Sequence, residues 1–297
     1  MTNIHFIINP IAGKGIRYLS MDLLKSIFNV EEFAIVIKYS KYKKHATELT
    51  QASIAEGAHI IVACGGDGTI NEVASCLINS TIKLGIVPLG SGNGLASNLN
   101  IPRKILSSLE IIRKQDVIKI DVGRVNQKYF FSNTGVGFDA TVIKNYESNN
   151  KRTLIGYIMA CFTSLKEIKH AKNLEININD SQFEIDPFLV FISNSNELGY
   201  KFSLTPKASL QDGLLDVLII SKINRIKMIW FGFLVLIKRP LLLKEAQYYQ
   251  TKHIKVQNKK QDFFETQSDG EFLKIKNETL TINIDKKALN VISPVLV

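Results

Sequence analysis

Residues 65–68 place two glycines, an aspartate and a third glycine in succession, within the segment IIVACGGDGTINEVASCL at residues 60–77. The apolar run before them favours a strand, and the apolar residues after them recur at helical spacing. Glycines at the start of a helix let the backbone approach a phosphate, which the free amides of the first turn attract. The carboxylate of Asp67 is repelled by phosphate unless it faces a metal ion or accepts a proton from an attacking hydroxyl. The pattern therefore indicates phosphoryl transfer, and a tight turn that Asp67 only caps is the structural alternative.

Thr69 and Glu72 stand three residues apart at the start of the predicted helix. A hydroxyl followed by a carboxylate at this spacing predicts a capping box, in which each side chain binds a backbone amide of the first turn.

Two more glycine turns follow predicted strands: NPIAGKG at residues 9–15 and the LGSGNG part of VPLGSGNGLASNLNIP at residues 87–102. The first fails as a Walker A loop because Gly15 stands where Ser or Thr should follow the lysine. In the second, Ser91 and Asn93 either bind phosphate or cap the following helix. Three such turns after parallel strands meet at one edge of the sheet, which is a stronger signal than any turn alone.

The elements that position these turns alternate along the first part of the chain. Apolar runs predict short buried strands, and helical periodicity lies between them at residues 19–27 and 45–57. The predicted strands are NIHFIINP, FAIVIKYS, HIIVACGG and KLGIVPLG. Alternation of this kind predicts a parallel sheet with helices on its faces.

From about residue 122 the pattern becomes mostly β. The strand-like runs are KYFFSN, NLEININDSQFEID, FLVFISNS, GLLDVLIIS, HIKVQN, FLKIKN and TLTINID, and LIGYIMACFTSLKEI and RIKMIWFGFLVLIKR are apolar helical stretches. We therefore place a domain boundary near residues 122–128.

Composition narrows the class of protein. The 297 residues are enough for two domains, and a hydrophobic fraction of 45% excludes a disordered chain. The net charge of +10 attracts anionic partners, a nucleotide, a nucleic acid or a membrane surface. No nucleic-acid-binding motif is present, so we expect no nucleic-acid partner. The cysteines are scattered, and the N-terminus has no apolar leader, so we expect a cytoplasmic protein. Because no apolar run approaches 20 residues, we also expect no transmembrane segment.

The segment KINRIKMIWFGFLVLIKRP at residues 222–240 combines basic ends with Trp230, Phe231 and Phe233. Such a helix could lie at a membrane interface. Its apolar residues run all round, however, which favours a buried helix.

Seven segments, in this order along the chain, carry a family resemblance: NPIAGKG, GGDGTINEVA, PLGSGNGLA, IDVGRV, NTGVGFDA, DGLLDV and SDGE. Together they resemble the diacylglycerol kinase catalytic-domain family, which includes soluble bacterial lipid kinases, sphingosine kinases and ceramide kinases. The GGDGT motif alone is less specific, because NAD kinases share it.

The resemblance implies an N-terminal α/β nucleotide-binding domain like that of NAD kinases and a second β-sandwich domain that binds lipid. The first would span residues 1–125 and be completed by residues 286–297, and the second would span residues 126–285. ATP would lie in the cleft between them.

The same resemblance implies the nucleotide-binding residues, which are Asn9, Pro10, Ala12, Gly13, Lys14, Ser40, Gly65, Gly66, Asp67, Gly68, Thr69, Asn71, Glu72, Ser91, Asn93 and Asp121. Ser40 stands where the family usually has the threonine of a T-x-x-x-G-H-A pattern, here SKYKKHA, and Lys44 replaces its glycine. Gly94 replaces an aspartate that usually follows the asparagine of the third turn.

A structural Mg²⁺ is implied near SLQDGLLDV, bound by Asp212 with Ser209 and Leu214 contributing. Lys14 and Asp121 would join Asp212 in a polar network beside the nucleotide.

Two carboxylates compete for the role of general base. Bacterial relatives point to Glu271 of SDGE, and sphingosine kinases point to Asp67. We favour Glu271 as the base, with Asp67 as an acidic partner near magnesium. Without the family resemblance, the sequence SDGE would predict only a hairpin turn. Asp139 of GVGFDA either faces the lipid head group or is a structural polar residue.

The leading hypothesis is thus an ATP- and Mg²⁺-dependent lipid kinase that acts on diacylglycerol or a sphingoid base, peripheral at the inner membrane surface. The alternatives are a kinase of a soluble alcohol such as NAD and a catalytically inactive protein that binds membrane surfaces. A homodimer is left open.

Overall fold

The computed structural model describes residues 1–13, 19–148, 153–167, 173–197 and 203–294. The chain forms two compact units, one of Met1–Ile120 with the C-terminal segment that starts at Lys287, and one of Asp121–Lys286. Across the described ranges, no helix has both the length and the apolar character needed to cross a membrane.

The first unit alternates strands and helices, as predicted. Its elements are β1 (Thr2–Ile8), α1 (Met21–Ile27), β2 (Phe33–Tyr39), α2 (His45–Ala55), β3 (Ile60–Gly65), α3 (Asp67–Cys76), β4 (Lys83–Pro88), α4 (Gly94–Asn98) and α5 (Ile105–Lys114). The strands are parallel in the order β2, β1, β3, β4. Val291, near the end of the chain, pairs in parallel with Leu84 of β4.

The central strand β3 is buried along its whole length. Helices cover both faces of a parallel sheet, so a central strand reads as a continuous apolar run, which is why this strand was predictable. Phe6, Leu24 and Phe28 pack with it in one core.

Strand register fixes where the loops leave the sheet. Ile8 lies beside both Tyr39 and Cys64, and Gly65 lies beside Pro88. The carboxyl ends of all four strands therefore meet at one edge, where the predicted glycine turns begin.

The second unit is a β-sandwich with helices. Its elements, with two strands whose ends extend into the first unit, are β5 (Val117–Val125), β6 (Lys128–Phe130), β7 (Asn133–Gly137), α6 (Phe138–Ser148), α7 (Leu154–Lys166), β8 (Leu174–Ile178), β9 (Ser181–Ile185), β10 (Pro187–Ser193), β11 (Leu215–Ser221), α8 (Arg225–Leu236), β12 (Ala246–Thr251), β13 (His253–Asn258), β14 (Phe264–Ser268), β15 (Glu271–Ile275) and β16 (Thr279–Ile292). One antiparallel layer has the order β12, β11, β10, β7, β14, β15, and the other contains β16, β13, β8 and β9 with the β5–β6 hairpin.

The sandwich core lies between these layers. Val190 and Ile192 of β10 pack there against Ile254 and Leu280 of the opposite layer. Phe191, on the other face of β10, packs in a second cluster with α8. Alternating side chains thus bury both faces of the strand. The predicted α/β and β-sandwich architecture is confirmed.

Several elements were not predicted: β5, β7, β12, β14, α5 and α6. In β7 the sequence NTGVG contains an asparagine and two glycines, residue types that are depleted in strands. A Cβ on Gly135 would lie 2.2 Å from Oδ2 of Asp139 and 2.8 Å from the Val190 carbonyl oxygen. The strand therefore contains glycine because a neighbouring carboxylate fills the space of its side chain.

Candidate active site

The carboxylate of Asp67 joins the second and third glycine turns. Helix α3 begins at Asp67 directly after Gly66, and Asp67 Oδ2 accepts a hydrogen bond from the Asn93 amide at 2.8 Å. Oδ1 accepts one from the Gly94 amide at 2.7 Å. A Cβ on Gly92 would lie 2.7 Å from Oδ2. The short helix α4 therefore begins with its amides directed at Asp67, which fixes one loop against the other.

The same two turns approach each other through glycine. A Cβ on Gly90 would lie 2.6 Å from the Cα of Gly66, a separation that real side chains do not reach. The buried side chain of Asn93 closes the third turn, since it accepts from the Gly90 amide at 2.9 Å and donates to the Gly90 carbonyl oxygen at 2.6 Å. Here the glycines allow two backbone segments to pack directly.

The first turn is tied to the second by Asn9. Asn9 Nδ2 donates to the Thr69 hydroxyl at 3.1 Å, and Asn9 Oδ1 accepts from the Ile11 amide at 3.1 Å. Gly13 has φ +65°, and a Cβ there would lie 2.3 Å from the Leu89 carbonyl oxygen. The three turns thus form one hydrogen-bonded loop assembly at the sheet edge. Lys14 lies outside the described residues.

The predicted capping box is wrong. The Thr69 hydroxyl accepts from Asn9, and Glu72 accepts from the amides of Lys44 at 3.0 Å and Ala46 at 3.1 Å. Glu72 therefore caps helix α2, not its own helix. Lys44 has φ 71°, a left-handed conformation that glycine adopts without strain.

The remaining predicted residues of the first unit lie on the three turns, on α3 or, for Ser40, directly after β2. Ser40 is buried, and its amide donates to the Ile8 carbonyl oxygen at 2.9 Å. Asn71 lies in α3 and accepts from the Ser75 hydroxyl at 3.4 Å. Pro10, Ala12, Gly68 and Ser91 lie on or directly beside the turns.

Arg103 was not predicted, although it contacts the third turn. Its Nη2 donates at 2.8 Å to the carbonyl oxygens of both Ser91 and Gly92. No spacing rule connects an arginine to residues eleven and twelve positions earlier, so the sequence offered no signal for this contact.

In the second unit, SDGE forms the turn between β14 and β15. Asp269 and Gly270 have φ 48° and 77°, as a two-residue hairpin loop of type I′ requires. The Asp269 carboxylate accepts from the amides of Phe131, Ser132 and Asn133 at 2.9, 2.7 and 3.2 Å. Asp269 thus fixes the turn to the segment before β7, and Glu271 follows as an exposed residue at the start of β15.

Gln267, also not predicted, links this turn to Asp139. The buried amide of Gln267 donates to Asn133 Oδ1 at 2.7 Å and to Asp139 Oδ2 at 3.1 Å, and it accepts from the Gly270 amide at 3.2 Å. Burial raises the pKa of Asp139 to about 7, and the hydrogen bond from Gln267 offsets part of that effect. The Asp139 carboxylate is directed at Gly135 inside the sheet, as a structural polar residue would be.

Two sequence-family models match consecutive parts of this chain. The diacylglycerol kinase catalytic domain matches residues 3–125. The YegS C-terminal NAD kinase beta sandwich-like domain matches residues 132–293, more than half of the chain. The chain belongs to the diacylglycerol kinase catalytic-domain family. This confirms the predicted resemblance, and it makes the protein a kinase, a phosphotransferase for which the family implies ATP as co-substrate.

Similar proteins carry the same description. The diacylglycerol kinase of Staphylococcus aureus strain Newman is 29% identical over 226 residues, which cover 73% of this kinase and 70% of that protein. A solved structure from Bacillus anthracis str. Sterne, provisionally described as a diacylglycerol kinase, has a TM-score of 0.77 at 23% identity and covers 99% of this chain and 95% of its own. A crystal structure of a diacylglycerol kinase from the same source has a TM-score of 0.71 at 19% identity, with 99% and 97% covered. At these identities the two structures show the fold alone.

The predicted magnesium residues of this kinase lie in one loop before β11. Asp212 is exposed and accepts from the Leu214 amide at 2.9 Å, and Ser209 Oγ accepts from the Gln211 amide at 3.3 Å. Buried Asp121 accepts from the Gly213 amide at 2.6 Å, which holds the loop on β5. Oxygen donors with a single carboxylate fit a Mg²⁺ ion that keeps most of its water. Within the ranges that the structure describes, no three His, Cys, Asp or Glu side chains form a metal cluster.

Proposed function

We propose that this kinase transfers the γ-phosphoryl group of ATP to the hydroxyl of a membrane lipid, diacylglycerol or a sphingoid base. The observation that carries the proposal is the loop assembly around Asp67 at the carboxyl edge of a parallel sheet, in a chain that both family domains match. Ligands of open α/β sheets bind at that edge. The name of the S. aureus relative supports diacylglycerol as acceptor.

Nucleotide binding belongs to the first unit. The N-terminus of the ten-residue helix α3 follows the Gly65–Gly66 turn, and helix amides at such a terminus attract phosphate. Arg103 and Asn93 hold the third turn in shape. Lys14 would add positive charge to the phosphates, and a magnesium ion carried with the nucleotide would neutralise charge that develops during transfer.

Glu271 is the proposed general base. The acceptor oxygen attacks the γ-phosphorus, the bond from that phosphorus to the β–γ bridging oxygen breaks, and the hydroxyl proton passes to the Glu271 carboxylate. Both oxygens of Asp67 already accept backbone hydrogen bonds. Through these two bonds Asp67 positions the loops that hold the phosphates, and the remaining lone pairs of its carboxylate would face the magnesium ion of the nucleotide, as the sequence predicts. Asp212, Ser209 and Leu214 would hold a structural Mg²⁺.

The proposed place of action is the inner membrane surface, where a lipid acceptor and ATP are both available. The second family domain resembles that of NAD kinases, which favours NAD as the acceptor to test beside lipids.

The test is transfer of labelled γ-phosphate from ATP in the presence of magnesium to diacylglycerol, sphingosine and NAD, each offered separately, the lipids in mixed micelles. Label in one of the two lipids is the expected result. If only NAD becomes labelled, NAD replaces the lipid as the proposed acceptor. If the protein is folded and binds ATP but labels none of the acceptors, the result favours a catalytically inactive protein that binds membrane surfaces.

A further inference from the structure

Helix α8 has two apolar faces, of which only one is buried. Met228, Phe231 and Leu234 are buried in the cluster on the outer face of the six-stranded layer. The exposed apolar residues recur at spacings of three and four, which is the period of a continuous helical stripe. They are Ile226 (78% exposed), Ile229 (68%), Trp230 (51%), Phe233 (49%), Leu236 (65%) and Ile237 (44%). The buried-helix prediction therefore holds for one face only.

The buried face already anchors the helix. Phe231 meets Phe188 edge to face at 6.3 Å between ring centroids, and the Asn224 side chain caps the first turn by accepting from the Lys227 amide. Among the residues that the structure describes, this buried cluster does not include the exposed stripe. Leu241 and Leu242 lie in a short 3₁₀ turn, Pro240–Leu242, which packs against α8, and their exposure of 37% and 62% extends the apolar surface.

Charge distinguishes this surface from an ordinary apolar patch. Residues 222–244 contain no Asp or Glu. Their six basic residues either lie near the start of the helix or follow its end: Lys222, Arg225 and Lys227 before the aromatic residues, and Lys238, Arg239 and Lys244 after them. Glu245, just beyond, pairs with Lys227. An apolar stripe with aromatic residues between cationic ends is the pattern of a helix that lies in the plane of an anionic membrane.

We propose that the exposed stripe of α8, with Leu241 and Leu242, is the surface that docks this kinase on anionic lipid bilayers. A helix of 12 residues is about 18 Å long, too short to span the hydrocarbon core, so it lies along the interface. A two-fold contact between copies through this surface would bring its basic ends close together, which disfavours a second copy as the occupant. The inference deepens the proposed function and rests on it for its purpose, although docking is measurable without catalysis.

Trp230 is the single tryptophan of the chain and reports directly on this surface. The protein, without ATP, is titrated with vesicles of phosphatidylcholine alone or with phosphatidylglycerol added. We expect a blue shift of Trp230 emission with the anionic vesicles only, reversed by salt, together with quenching by lipids brominated near the head group. Vesicle binding without any change in emission would overturn the proposal, and so would absence of binding.

The variant I229Q/F233Q tests the stripe, with L106Q, an exposed leucine of α5, as the matched control. We expect roughly tenfold or greater loss of vesicle affinity for the α8 variant and none for L106Q, because interfacial binding scales with apolar area. Equal binding by both would overturn the proposal, and a change in self-association instead of vesicle binding would assign the surface to a second copy. Circular dichroism checks that both variants fold.

A monomeric short-chain diacylglycerol separates the two proposals. If I229Q/F233Q phosphorylates it at the wild-type rate but has lost activity on vesicles, the surface serves docking. If the wild-type protein docks on vesicles but phosphorylates no acceptor, the proposed lipid-kinase function is wrong, whereas the proposal that this surface docks on membranes is retained.

Discussion

Asp67 and Gly94 are joined by a 2.7 Å hydrogen bond from the Gly94 amide to Oδ1 of Asp67, and the Asn93 amide binds the other carboxylate oxygen at 2.8 Å. The loop after β3 thereby holds the loop after β4. The residue at position 94 is a glycine, and its amide is one of the groups that Asp67 binds. Asp67, the acid of the GGDG motif, therefore positions the loop after β4 by accepting hydrogen bonds from its backbone amides.

Asp67→Asn should weaken ATP binding at least roughly tenfold, because an amide side chain has only one oxygen acceptor and two charge-assisted hydrogen bonds are lost or weakened. Isothermal titration with ATP measures the effect. Asp22→Asn is the control, since Asp22 is also an acid in the first turn of a helix. Unchanged ATP affinity in Asp67→Asn would contradict the positioning role.

Arg103→Ala should raise the KM for ATP by roughly three- to tenfold with little change in Tm, because an exposed side chain holds two carbonyl oxygens of the third turn. Lys104→Ala removes the same charge from the adjacent exposed position and serves as the control. Equal KM values for the two variants would show that charge alone, not the contact with Ser91 and Gly92, matters.

Gln267→Leu should lower Tm by several degrees, since it leaves buried groups of Asn133 and Asp139 without their hydrogen bonds from Gln267 at a cost on the order of 2 to 4 kcal/mol. It should also lower kcat more than it changes KM for ATP, because the Gly270 amide of the turn before Glu271 is released. Thermal denaturation and steady-state kinetics measure both effects, with the exposed Gln182→Leu of β9 as control. A variant as stable and active as the control would show that the network is dispensable.

Stability should depend on pH through Asp139. Its pKa is raised from 3.8 to about 7 in the folded state, so the folded protein retains a proton that the unfolded chain has lost. The contribution of this group is complete below pH 4 and is lost as pH rises to about 7, by an amount on the order of 4 kcal/mol. Asp139→Asn should remove this dependence. In thermal denaturation, the difference between the Tm of Asp139→Asn and that of the wild type should therefore rise between pH 5 and pH 8. For the control Asp262→Asn, at an exposed position, this Tm difference should stay constant with pH. A constant difference for Asp139→Asn would exclude the titration.

Periodicity predicted the strands of the first unit because β3 and its neighbours are buried on both faces. It could not predict β7, where Gly135 makes room for a carboxylate that approaches from α6. The capping box failed for a related reason: Thr69 is bound by Asn9, sixty residues away, and Glu72 reaches helix α2. Local spacing identifies residues that can make a contact, but the partners of Asp67, Thr69, Glu72 and Gln267 are set by tertiary packing.

The same limit applied to α8. Its sequence is apolar all round, which does not reveal which face the sheet covers. Only the packing of Met228, Phe231 and Leu234 showed that Trp230 and Phe233 are exposed.

The most direct test of the account is the rate of phosphoryl transfer to the lipid acceptor by Glu271→Gln, measured in a single turnover with saturating ATP. Glu278→Gln, an exposed acid just after β15, is the control. We predict a loss of roughly 100-fold or more for Glu271→Gln with unchanged ATP affinity, because general-base catalysis contributes about 10² to 10⁴ in rate. The control should retain wild-type activity. Glu271→Gln transferring phosphate as fast as Glu278→Gln would contradict the assignment of Glu271 as the base.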